Sequence, residues 1–345
     1  VVTNMGVRYI FLFLLAVPAW AYRKSRTAKN MANNIADDVL ETGSREAGIE
    51  LYARSDTDAL EKFAAKSTDI AADGFNRSEW GQAGMKKYTV SSLYSPNGLL
   101  VWYPQAPGSY PFVSFAHGLQ DGGEGTEQKV GALCRAMASE GLIVAAHQSC
   151  SNGCFSSWNP FSRIWARIGR TRRGDFAGFK YYYEEQLKVI KWAKSNLGEV
   201  GPGVKADFSQ GVGVAGHSMG GQAAGYSASS AGRSGWYGTN DINAAVMMHP
   251  YSTSPMSPEK PVLILASSAD TIATFQMSQA IFSKATAQEK VLVDLPGMGH
   301  VAPRYHASTY GPLAAAWILR KLSPFKRQRA EQTLQSMYSR YKTQK

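Results

Sequence analysis

Short apolar runs alternating with amphipathic helical stretches over residues 88–322 predict an α/β protein. Its expected core is one mostly parallel central sheet with helices on both faces. Three observations carry this reading. The runs are apolar throughout, as strands buried on both faces must be. Most are separated by a helical stretch long enough to cross over to a parallel neighbour. One of them, Val212-Gly-Val-Ala-Gly-His-Ser-Met-Gly-Gly221, leads straight into a serine held between glycines.

In order, strands are expected at 98–103, 112–116, 142–147, 212–216, 244–248, 262–266 and 291–295. Helices are expected at 127–139, 181–196, 221–231, 275–284 and 308–322. The early strands, joined by short turns, should form an antiparallel edge. An aromatic and Arg-rich insertion at 153–178, with Trp158, Phe161, Trp165 and Phe176, follows the 142–147 strand and either borders a cleft or packs on the surface.

The chain has 345 residues, 44% of them hydrophobic, enough for one large α/β domain. The sequence divides into a signal peptide at 1–21, a partly helical extension at 22–82, a catalytic domain at 83–323 and a basic tail at 324–345. Arg8, an apolar stretch at 9–17 and Ala19-Trp-Ala21 give the leader its charged, apolar and small-residue parts. About nine apolar residues are too few to span a bilayer, so no stable membrane anchor is expected. The reading is a secreted or periplasmic protein. A two-part plastid signal is the alternative, because the stretch after Tyr22 is basic, hydroxyl-containing and free of acids until Asp37.

The formal charge is +11, much of it at the two ends. Basic and aromatic residues do not interleave as single-strand binders require, so no nucleic-acid partner is expected. Cys150 and Cys154 are close enough to bridge in an oxidising compartment, while Cys134 reads as a small buried hydrophobe. No Cys and His arrangement suggests a metal site, and neither metal nor cofactor is expected. A monomer is expected.

A serine between Gly216 and Gly220 has the form of a nucleophile elbow, since a Cβ at either flank would strike neighbouring backbone. In open α/β sheets, active sites lie beyond the carboxyl ends of strands. Ser218, Asp270 and His300 each follow a strand, in the order nucleophile, acid, base. Asp294 lies within a strand, Asp241 precedes one, and Asp175 precedes the serine, so none fits as the acid. His217 should face away from the cleft and pack. His147 and His249 end strands and are expected to line the pocket, and His306 to begin the last helix. Oxyanion donors are expected from the Met219 N–H and, in Phe115-Ala-His-Gly-Leu-Gln-Asp-Gly-Gly123, from the Leu119 N–H.

These residues resemble the α/β-hydrolase fold family that includes bacterial cutinases and polyester (PET) hydrolases, platelet-activating-factor acetylhydrolases and chlorophyllases. The likeness runs over residues 88–322. Tyr110-Pro-Phe-Val-Ser-Phe-Ala-His-Gly-Leu119 is similar to the oxyanion strand of all three groups, and Gly216-His-Ser-Met-Gly-Gly221 to the cutinase elbow. Ala269-Asp-Thr-Ile-Ala273 resembles the cutinase acid loop. Chlorophyllases carry Arg where this chain has Met219. Cutinases carry Thr-Pro-Trp, whose Trp stacks on an aromatic acyl group, where this chain has His249-Pro-Tyr251. The resemblance implies a cofactor-free serine carboxylic-ester hydrolase, cutinase-like or polyesterase-like, with a cleft lined by Leu119, Met219, His249 and Tyr251. A chlorophyllase-like or phospholipid acetylhydrolase-like esterase is the alternative within the class. A noncatalytic binding protein on the same fold is the alternative outside it.

Overall fold

The computed structural model describes residues 83–90, 98–119, 121–149, 179–235, 237–252 and 255–345. The expected leader, the 22–82 extension, the 153–178 insertion, Asp175 and the Cys150 and Cys154 pair lie outside the described residues. Among the described residues, no helix is long and apolar enough to cross a membrane.

The strands are β1 (Ala83–Tyr88), β2 (Leu99–Pro104), β3 (Gly108–Ala116), β4 (Ile143–His147), β5 (Glu199–Gly201), β6 (Val204–Asp207), β7 (Val212–His217), β8 (Ile242–Met248), β9 (Val262–Ala266), β10 (Lys290–Asp294) and β11 (Lys342–Gln344). The helices are α1 (Thr126–Ser139), α2 (Phe179–Asn196), α3 (Met219–Ser227), α4 (Ser230–Arg233), α5 (Phe275–Lys284), α6 (Ala302–Tyr305), α7 (Ala307–Leu322) and α8 (Arg327–Arg340). The main sheet runs β1-β2-β4-β3-β7-β8-β9-β10-β11. Pairing is parallel from β4 through β10 and antiparallel at β1/β2, β2/β4 and β10/β11.

Side chains along the central strands divide by period two into two cores, one on each face. Leu99 and Val101 enter one core while Leu100 and Trp102 enter the other, and Ile264 and Leu265 divide the same way. The first core receives Leu187 and Ile190 of α2, Ala223 and Ala224 of α3 and Ile281 of α5. The second receives Leu133 and Met137 of α1, Trp317 and Ile318 of α7 and Leu334 of α8. Helices α1 and α7 meet closely at Gly311, where a Cβ would run into that of Ala136.

The site's location follows from strand order. From β3 the chain leads through α1 on one face to β4, then returns past β3 to β7, whose helix α3 covers the opposite face. The loops leaving the carboxyl ends of β3 and β7 therefore diverge, opening a crevice between them. Buried Gln186 of α2 ties these two strands together. Its Nε2 donates to the carbonyls of Ser114 and Ala215, both at 2.9 Å, and its Oε1 accepts from Ser227 Oγ at 2.9 Å.

Two features depart from the sequence reading. Residues 199–207 form the small hairpin β5/β6, with β6 extending parallel pairing along the start of β3. The segment from 324 onward is also no free tail. Helix α8 buries Ala330, Leu334 and Met337 against the second core, and β11 pairs with β10 through Leu292 and Gln344, Val293 and Thr343, and Asp294 and Lys342. Its basic residues dominate the sequence impression, while a narrow apolar stripe fixes its place. Leu334→Ala should therefore destabilise the fold by about 2–4 kcal/mol in denaturant unfolding, as for any leucine removed from a packed core. A cost near zero would mean that α8 contributes no such packing.

Candidate active site

Ser218 stands between β7 and α3 with φ 57 and ψ −120, outside the regions favoured for L residues. The flanking glycines permit it. A Cβ on Gly216 would overlap the Gly220 carbonyl, and one on Gly220 would overlap the Ala116 carbonyl and lie 2.6 Å from that of His117. The turn is also stitched to the next strand: Ser218 N–H donates to Met248 O at 2.9 Å, and Ser218 O accepts from Tyr251 N–H at 3.1 Å.

Beyond the serine lies a chain of hydrogen bonds. Ser218 Oγ is 2.9 Å from His300 Nε2, and His300 Nδ1 is 2.9 Å from Asp270 Oδ2. The other carboxylate oxygen, Oδ1, accepts from the Ile272 and Ala273 N–H groups at 2.8 and 2.9 Å, which folds Asp270-Thr-Ile-Ala273 back on its own acid. Asp270 is 4% exposed. Burial would raise its pKa, but hydrogen bonds from two histidines and their charge outweigh that and hold it below the usual carboxylate range.

The second histidine is His249. Its Nδ1 is 2.7 Å from Asp270 Oδ2, and its Nε2 is 2.5 Å from Tyr310 Oη on α7. It is fully buried and adopts φ 44 at the end of β8. It cannot line the cleft as the sequence reading expects. Its ring is held between Asp270 and Tyr310, against the acid. His147 departs likewise: fully buried, it places Nδ1 2.8 Å from Ser149 Oγ.

The loop after β3 closes against the elbow. A Cβ on Gly118 would lie 3.4 Å from Ser218 Cβ and 2.7 Å from Asp121 Oδ2. Its carbonyl accepts from His117 Nδ1 at 2.6 Å and from Asp121 N–H at 3.1 Å. Because a trans peptide points its C=O and N–H in opposite directions, this fixes the direction of the Leu119 N–H. His117 Nε2 in turn accepts from Ser149 Oγ at 3.0 Å, and Tyr182 Oη donates to the His117 carbonyl. Leu119 is half-buried, Met219 is buried at the first position of α3, and Tyr251 is half-buried with its N–H bonded to the Ser218 carbonyl.

Sequence reasoning missed two supports. His217 is buried, as its packing role required, yet its Nε2 also donates to the carbonyl of His300 at 2.7 Å. Its Nδ1 lies 3.5 Å from Asp121 Oδ2, and Arg304 of α6 pairs with the same carboxylate. Burial would raise the Asp121 pKa, but His217 and Arg304 bring it down to about 2. The rejected acids lie elsewhere: Asp241 pairs with Lys194, and Asp294 Oδ1 accepts from the Ser268 N–H. Ligand atoms of His249, Asp270 and His300 fall within 4.8 Å of one another, but both imidazole Nδ1 atoms already face the carboxylate as hydrogen-bond donors.

A strand, a strained serine, an imidazole and a buried carboxylate in this order call for comparison with known families. Residues 188–335 match the PET hydrolase-like family, PETase. The matched segment holds Ser218, His249, Asp270 and His300 together with β7 to β10. The PET hydrolase-like family is an α/β-hydrolase-type serine esterase family related to cutinase, and the mostly parallel sheet with helices on both faces is its α/β-hydrolase fold. The PET hydrolase-like match indicates a hydrolase acting on esters. No curated protein matches the chain.

His249 titrates at about 4, with burial depressing it more than Asp270 raises it. An exposed histidine titrates near 6.5, so on acidification the unfolded chain takes up this proton first. The resulting stability is intact above about pH 6.5 and lost progressively down to about pH 4, amounting to ~3 kcal/mol. His117, His147 and His217 are depressed by burial and act in the same sense. Denaturant midpoints should therefore fall between pH 6.5 and 4, and His249→Asn, which does not titrate, should flatten that slope. An unchanged slope would refute the assignment.

Proposed function

We propose that the protein is a serine carboxylic-ester hydrolase, cutinase-like or polyesterase-like, working through an acyl-enzyme. The observation that carries the proposal is the chain from Ser218 Oγ through His300 to Asp270, with 2.9 Å at each link. A serine hydroxyl is a weak nucleophile until a base takes its proton, and His300 Nε2 stands at the distance required.

In this reading Ser218 Oγ attacks the ester carbonyl carbon while its proton passes to His300 Nε2. The carbonyl oxygen becomes an oxyanion, held by the N–H groups of Leu119 and Met219. The Met219 N–H lies in the first turn of α3, where no intrahelical acceptor exists and the helix dipole favours negative charge. Collapse of this intermediate breaks the bond to the leaving oxygen, which takes the proton from His300. Water then attacks the acyl-enzyme with His300 again as base, releasing the acid and restoring Ser218. Asp270 keeps the proton on His300 Nδ1 and stabilises the imidazolium.

The acyl group would lie along Leu119, Met219 and Tyr251. Tyr251 is well placed to flank it, since its N–H is bonded to the nucleophile's own carbonyl. The substrate is an ester with an apolar acyl part.

Ser218→Ala should reduce hydrolysis of short p-nitrophenyl esters by at least about a thousandfold with the fold unchanged, since removing a triad member leaves only residual catalysis. Activity close to that of the unaltered protein would overturn the mechanism. Tyr251→Trp should raise release of aromatic acid from polyester film relative to p-nitrophenyl acetate turnover. An unchanged ratio would remove Tyr251 from the acyl site.

A further inference from the structure

Asp270 Oδ2 accepts from two imidazoles, His300 Nδ1 at 2.9 Å and His249 Nδ1 at 2.7 Å. The first belongs to the chain proposed above. The second belongs to a residue sealed from solvent, whose left-handed φ is uncommon for a side chain that cannot reach substrate.

The protonation pattern around Asp270 is fixed by geometry. A carboxylate can only accept, so His249 must carry its proton on Nδ1. Its Nε2 is then a bare acceptor, and Tyr310 Oη at 2.5 Å must donate to it. Burial and the charge of Asp270 raise the Tyr310 pKa well above the usual phenol value, so this donor keeps its proton throughout the working range. The result is a directed relay in which Tyr310 donates to His249, and both His249 and His300 donate to Asp270.

We infer that His249, oriented by Tyr310, is a positioning residue that holds Asp270 Oδ2 toward His300 and shares that oxygen's negative charge with it. This rests on the reading of Ser218, His300 and Asp270 as a catalytic chain. A carboxylate oxygen shared between two donors stabilises an imidazolium on either one less than an unshared oxygen does. Removing the second donor therefore leaves Asp270 Oδ2 free to draw more strongly on the base, and the acid limb of activity is the readout that should move. Other charged or titratable groups around the pair are His217, whose ring centroid is 5.1 Å from that of His300, Asp121 and Arg304 behind His217, and Tyr341, which faces Tyr310. None of these bonds Asp270 Oδ2.

The experiment is the pH profile of kcat/KM for p-nitrophenyl butyrate in the full chain and in His249→Ala, His249→Asn and Tyr310→Phe. Asparagine places a side-chain N–H where the histidine has Nδ1–H and tolerates a positive φ. His249→Ala should move the acid limb up by about 0.5–1 pH unit and lower kcat with KM unchanged. Tyr310→Phe should shift the limb in the same direction by less, and His249→Asn should restore it. An acid limb in folded His249→Ala that coincides with that of the unaltered chain would overturn the inference, as would failure of asparagine to restore it.

A second measurement does not depend on turnover. Nitrogen-15 NMR of histidine-labelled protein should show His249 as the Nδ1–H tautomer, neutral to below about pH 5, and the Nε2–H tautomer would overturn the relay. Labelling of Ser218 by an organophosphate probe separates the two levels. Without labelling of the unaltered chain, the underlying serine mechanism fails. With labelling but an unmoved limb, only the role of His249 fails.

Discussion

The backbone of Ser218 is the constraint around which the site is arranged. At φ 57 and ψ −120 it costs on the order of 1–3 kcal/mol, and nothing local to a serine favours it. It persists because its surroundings leave it no alternative. Helix α3 must start close enough to β3 that Gly220 touches the Ala116 and His117 carbonyls, and Gly216 must pass beneath the Gly220 carbonyl. The peptide groups of Ser218 are held by Met248 and Tyr251 from the end of β8. One strained residue thus couples three strand ends, and that coupling brings the β3 loop and His249-Pro-Tyr251 beside the serine.

A second constraint is electrostatic. Asp121 and Asp270 are both almost wholly buried, and an unpaired buried carboxylate is costly. Asp270 accepts from His249 and His300, while Asp121 is paired with Arg304 and has His217 Nδ1 at 3.5 Å. Since His217 also bonds the His300 carbonyl, the support of one acid holds the backbone of the base bonded to the other. Burial depresses both His217 and His249, so the charge behind these imidazoles resides in Asp121, Asp270 and Arg304.

The sheet was legible because its strands are short runs of Val, Leu, Ile and Ala with no competing period. Strand 262–266 and helix 275–284 occupy the expected positions, and 212–217 and 242–248 differ only at their ends. The helix expected at 221–231 starts at Met219 and breaks after Ser227, because Ser229 accepts from the Gly232 N–H and begins a new turn. The hairpin 199–207 escaped because its residues are polar, and its pairing is set by the preceding length of β3. Helix α8 had a signal, Ala330, Leu334 and Met337 at spacings of four and three, which the surrounding Arg and Gln residues obscured.

The site was legible in a more uneven way. Ser218, Asp270 and His300 announce themselves because each follows an apolar strand, and strand ends converge in a parallel sheet. His249 follows a strand as well and was read by the same rule as a pocket residue, yet it faces the opposite way. Its ring is buried between Asp270 and Tyr310, partners that no local pattern of residue types encodes. What the sequence did contain was the departure itself, His249 where a cutinase has Thr, with Tyr310 sixty-one positions away on a helix whose packing alone brings them together. A threonine at that position lacks the imidazole Nδ1–H that meets Asp270 in this chain, and it lacks the second ring nitrogen that Tyr310 meets. One short turn after β8 thus bonds both the carboxylate, through His249, and the Ser218 carbonyl, through the Tyr251 N–H.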